Sequence, residues 1–126
     1  MNKNKVVICF LLMLIIHVAH VFEETWGRFW ILNKVGLGFF LTINCALFCI
    51  PVVIFYFVLN KYHWAYKLSL VYAAFMVLQG IGHNVETIIS GRYFDGFAGG
   101  YSGIGLAVIG SALIYYLLKG IRSNEF

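Results

Sequence analysis

Long apolar runs broken by short polar and aromatic punctuation set the organisation of this chain. The first run, residues 6–22, carries no charge over 17 positions, and at about 1.5 Å rise per residue it just crosses a hydrocarbon core of about 30 Å with help from its flanks. The next, residues 35–60, has 26 residues and Pro51 in its middle, which suits a tilted or kinked span. Residues 68–90 and 96–118 supply two more spans, the third carrying polar residues at helical spacing and the fourth followed by Lys119 and Arg122. Between the first two runs, Thr25 to Val35 sets Trp26, Phe29 and Trp30 between Arg28 and Lys34, a pattern for a short helix lying at the headgroups. The prediction is an all-α membrane protein: a single domain over residues 1–126, built as a four-transmembrane-helix antiparallel bundle with a short interfacial aromatic segment after helix 1.

Composition sharpens that reading. Hydrophobic residues make up 62% of the chain and charged residues 11%, which excludes ordinary soluble classes. The formal net charge of +4 sits at the ends of the apolar runs and forms no basic stripe with interleaved aromatics, so no nucleic-acid partner is expected; the partner is the lipid bilayer. Cys9, Cys45 and Cys49 lie inside apolar runs without metal-knuckle spacing and read as small hydrophobes. The first run ends in His-Val-Ala-His rather than a small-x-small cleavage site, so it reads as a span and not as a removable leader. Lys3, Lys5, Lys61, Lys67, Lys119 and Arg122 fall on one side of a four-span topology, against Arg28, Lys34 and Arg92 on the other, which predicts a multi-pass protein with both termini cytoplasmic.

Candidate chemistry concentrates where the first span ends, in the stretch from His17 to Arg28. An ionisable side chain at membrane depth is costly and marks a functional site by default. On a helix His17, His20 and Glu24 share about 60° of arc, while Glu23 lies about 100° from Glu24. A lone Glu or Trp here would mark only where a helix meets the headgroups; this combination asks for more. The third span carries Gln79, His83, Glu86, Thr87 and Ser90 within about 80° of arc. Spans one and three run in the same direction, so these polar ends emerge on one face of the membrane. Asn44, roughly 12 Å deep in span two from that face, has two roles in prospect: amide glue between helices or membership of the site. Two His-x-x-Glu pairs, His20 with Glu23 and His83 with Glu86, resemble the way helical bundles assemble metal ligands, and the same groups suit general acid-base catalysis. The candidate catalytic set is therefore His20, Glu23, Glu24, His83 and Glu86. The candidate ligands for a divalent metal, zinc or iron, are His20, Glu24, His83 and Glu86, with His17, Asn44 and Gln79 nearby.

His20-Val-Phe-Glu23-Glu24, followed by Trp26 and Arg28, resembles the signature of the HXXEE family of small bacterial membrane proteins, whose biochemical role is unassigned. The resemblance extends to His83 followed by Arg92-Tyr93-Phe-Asp-Gly96, with Asp95 where the family pattern has a proline. It implies a bacterial cytoplasmic membrane and adds Trp26, Arg28 and Arg92 to the candidate set. Glu23-Glu24-x-x-x-Arg28 is also similar to the first motif of CAAX-protease-like intramembrane proteins, in which paired glutamates and histidines activate a water. Three function classes follow. One is an intramembrane enzyme acting on a lipid-like or isoprenoid substrate; another is a non-enzymatic scaffold or binding subunit; the last is a small proton-coupled transporter. A ridge of Gly99, Gly103, Ala107 and Ser111, each four apart, predicts a close helix-helix contact, within the chain or in a homo-oligomer.

Overall fold

A computed structural model describes residues 2–27, 30–91 and 99–123, and all the regular structure among them is helical. The elements are α1 (Asn2–Trp26), α2 (Trp30–Val35), α3 (Leu37–Leu59), α4 (His63–Ile89) and α5 (Gly100–Arg122). Four of them, α1, α3, α4 and α5, are long and apolar enough to cross a membrane, as the apolar runs predict. The chain is a multi-pass helical membrane protein. Helix α1, at 25 residues, is longer than its apolar run because its polar end stays helical, and that end finds its partners inside the bundle. Gly36, at φ +81°, separates α2 from α3 in a backbone conformation that side chains disfavour. Helix α2 buries no residue, and the Lys34 ammonium stands 4.8 Å from the Trp30 ring centroid. The helical assignment of α3 continues through Pro51.

Helix α1 packs on α3 and α5, and α4 packs on the same two. The parallel pair α1 and α4 thus meets through side chains across the bundle axis. Contacts along α1 and α5 show their antiparallel register: Lys5 lies over the Tyr116 ring at 5.2 Å, Met13 and Ile16 lie against Gly110 and Gly105, and His20 meets Ser102. Helices α4 and α5 approach through glycine. A Cβ on Gly80 would collide with the Gly103 carbonyl and lie 3.1 Å from the Ala107 amide nitrogen. The close approach that Gly99, Gly103 and Ala107 permit is therefore made within the chain, while Ser111 faces outward.

Toward the start of α1 the bundle centre is filled by Val6, Phe10, Met13, Val58, Met76, Leu113 and Leu117, all almost fully buried. Phe10 stacks on Tyr72 with ring centroids 5.5 Å apart. The outer surfaces expose Ile8, Phe75, Leu78, Val85 and Ile104, as helices in hydrocarbon do. Turning polar side chains inward and apolar ones outward leaves the other end of the bundle as the place where ionisable groups meet.

Candidate functional site

Because His17, His20 and Glu24 share one face of α1, the packing that buries one buries all three, leaving His20 at 0% and Glu24 at 3% exposure. His83 reaches them from α4. Its Nε2 lies 2.9 Å from Glu24 Oε1, and His20 Nε2 lies 3.5 Å from the same oxygen. The two imidazoles meet edge to face, with centroids 4.6 Å apart and planes at 81°. One ligand atom from each of His20, Glu24 and His83 falls within 4.8 Å of the others. A carboxylate away from water requires such partners.

Helix α5 fixes this arrangement from the side. His20 Nδ1 lies 2.7 Å from Ser102 Oγ. Glu23, one residue before Glu24 and on a different face, accepts hydrogen bonds from the backbone amides of Tyr101 at 3.0 Å and Ser102 at 2.7 Å. Gly99, which precedes α5, offers no side-chain cap, so a carboxylate from α1 fills that role and complements the positive end of the helix dipole. Gly99 has φ +90°, and a Cβ there would stand 2.8 Å from His20 Cε1 and 2.9 Å from His83 Nδ1. Only glycine fits against both rings. On α4, the Thr87 hydroxyl donates to the His83 carbonyl at 2.6 Å, so it has a partner inside its own helix.

The remaining candidates surround this cluster. His17 lies a turn deeper, its Nδ1 3.1 Å from the Tyr72 hydroxyl oxygen and its ring edge-on to Phe48 at 5.4 Å. Glu86 stands beside His83 with Trp30, Gln79 and Gly82 around an open hollow of about 300 Å³, and its Oε2 is buried without a hydrogen bond among the described residues. The second His-x-x-Glu pair thus contributes its histidine to the cluster and sets its glutamate next to it. Asn44 Nδ2 donates to the Phe40 carbonyl at 2.9 Å. Trp26 is 85% exposed and takes no part in the cluster. Arg28 and Arg92, with the turn containing Asp95, lie outside the described residues. Sequence reasoning passed over Ser102 and the capping role of Glu23. The available signal was topological: span four begins on the face where span one ends, so a hydroxyl in its first turn comes within reach of His20.

A groove between α3 and α4 leads to the cluster. Of about 520 Å³, it is walled by Phe40, Asn44, Phe75 and Gln79, with Glu24 and His83 at its inner side. A second hollow of about 360 Å³ shares Asn44, Leu47, Phe75 and Gln79 and extends to His17, Tyr72 and Pro51. The outer lips, Phe39, Ile43, Leu47 and Leu78, are exposed apolar residues. The groove opens where lipid would lie. No protein-family model, curated protein or solved structure matches the chain, so the likeness to the HXXEE family has no support beyond the motif residues themselves.

Proposed function

We propose that this protein is an intramembrane enzyme that receives the polar end of a lipid-like or isoprenoid substrate through the α3-α4 groove. The observation that carries the reading is that Glu24 and His83, both buried in the bundle, form the inner wall of a groove with lipid-facing lips. Glu24 is the acid-base group: buried between two imidazoles, it can exchange a proton with either ring or with a substrate hydroxyl. His83 Nε2, at 2.9 Å, is its immediate proton partner, and His20 is positioned by Ser102. Gln79 makes no side-chain hydrogen bond among the described residues and lines both hollows, which leaves its amide to orient the substrate's polar end; Asn44 stands beside it. The lysine distribution favours a topology with both termini in the cytoplasm, in which the cluster lies toward the outer leaflet; a bacterial membrane is what the likeness to the HXXEE family implies.

A photoreactive polyprenyl or acyl probe, applied to protein in lipid nanodiscs, tests this reading. Labelling is expected on Asn44, Phe75 and Gln79, and conversion of the natural lipid pool is expected to stop in Glu24→Gln. Labelling confined to the outer face of α5, with unchanged lipids, would defeat it. One observation favours a scaffold instead: Glu23 is committed to holding α5, so part of the motif serves packing. A scaffold has no need of a groove ending at Glu24.

A further inference from the structure

We infer that His20 Nε2, His83 Nε2 and Glu24 Oε1 form a three-ligand site for one divalent transition metal of the zinc or iron(II) class. Two imidazoles and one carboxylate are the donor set of catalytic zinc sites that keep a fourth position open, and of non-haem iron sites. The spacing fits. Bonds of about 2.0–2.1 Å at tetrahedral angles separate ligand atoms by about 3.3 Å, and the two Glu24 contacts, at 2.9 Å and 3.5 Å, bracket that value.

His20 supplies an independent observation. Its Nε2 is fully buried and makes no hydrogen bond among the described residues, while its Nδ1 is engaged with Ser102 Oγ at 2.7 Å. A metal-bound histidine characteristically donates its other N–H to a nearby oxygen, which fixes tautomer and ring orientation. Ser102 stands where that acceptor belongs. With Nδ1–H donating to Ser102, the Nε2 lone pair points at the Glu24 carboxylate, two electron-rich groups that a cation between them would reconcile. Gly99 closes the far side of both rings, where a Cβ would lie 2.8 Å from His20 and 2.9 Å from His83, so neither imidazole has room to swing away. Other ionisable groups keep to other tasks: Glu23 holds α5, His17 faces Tyr72, and Glu86 lines the adjoining hollow. The inference uses the same side chains as the proposed activity without depending on it; while metal is bound, the Nε2 atoms and Glu24 Oε1 hold the ion, and the direct Glu24–His83 proton exchange belongs to the metal-free protein.

Metal analysis of purified, tag-free protein, followed by Co(II) titration after chelator treatment, decides the matter. The expected result is one metal per chain and visible Co(II) bands of a low-coordinate nitrogen-oxygen site. Both should vanish in Glu24→Gln and His83→Ala, and both should persist in His63→Ala, whose histidine is exposed at the start of α4. Ser102→Ala keeps all three donors and should weaken metal affinity about 10- to 100-fold, which gives a reading even if the ligand variants fail to fold. Wild-type protein without metal or Co(II) bands, or full stoichiometry in His83→Ala, would overturn the inference. Bound metal with no amphiphile in the groove would retire the enzyme reading and leave the metal site standing; lipid conversion by metal-free protein would do the reverse.

Discussion

In the half of the bundle that holds the start of α1 and the end of α5, the axis is filled by Phe10, Met13, Leu113 and Leu117; in the other half His20, Glu24, His83 and Thr87 take that place, backed by Gly99, Gly100 and Gly103. Surrounded by lipid tails as apolar as themselves, the large side chains of the first half gain from packing rather than from escaping water. Many shapes of similar volume would serve there. The second half has little such freedom. Each polar group has a particular partner, at 2.9 Å for His83 with Glu24 and 2.7 Å for His20 with Ser102, and lipid offers no substitute for either. Bulk holds the first half together, whereas the second fixes the rotation and register of three helices.

The sharpest way to separate the halves is Glu24→Gln, which keeps the shape of the side chain and removes its charge. We expect turnover to fall by about 10²- to 10⁴-fold while the helical content is preserved, measured as product formed per folded protein. A fall of less than threefold would make the cluster structural. Phe10→Ala should act in the opposite sense, costing about 3 kcal/mol of stability in an unfolding assay in mixed micelles and leaving the metal affinity of the folded fraction unchanged. Parallel loss of both would show that the halves are not separable. Next in size comes a pair of glycines on α4. Gly80→Ala should cost about 1–3 kcal/mol, because the new methyl meets the Gly103 backbone rather than a movable side chain. Gly82→Ala, with nothing within 4 Å of its Cβ, should be neutral or stabilising by up to about 1 kcal/mol. The smallest expected loss is that of Glu23→Gln, about 1 kcal/mol; faster hydrogen exchange at the Tyr101 and Ser102 amides, with the Phe10 region unchanged, would localise it to the α5 terminus.

Much of the fold was legible because apolar runs of spanning length leave few alternatives, and the polar ends of two parallel spans had to share a membrane face. The cluster of His20, Glu24 and His83 follows from that argument. Its limits fell where a face, not a depth, decides the outcome. Glu23 and Glu24 are adjacent, yet helical geometry sends one to α5 and the other to the axis. Glu86, three residues past His83, shares its depth but lines a neighbouring hollow. Asn44, poised in the sequence between interhelical glue and site, donates its amide to its own helix rather than to a neighbour, and it borders the groove. Ser102 left no mark in the sequence because a single serine within Gly99-Gly100-Tyr101-Ser102-Gly103 has no periodicity of its own. Only the register of α5 on α1 reveals it.

The cluster draws His20 and Glu24 from the first span, His83 from the third and the steadying hydroxyl of Ser102 from the fourth, and this fixes a timetable for biogenesis. When α1 enters the bilayer during synthesis, the chain that will partner its polar face has not yet been made. Its histidines and glutamates then face a penalty of about a few kcal/mol for each ionised group held at depth, which favours keeping that end among the headgroups. The cluster can close only once α4 and α5 have been made, because His83 and Ser102 lie on them. A cell that released the chain before α5 was threaded would hold three inserted spans with no Ser102 beside His20 and no amides for Glu23, a product that membrane quality control could recognise by its unburied charges.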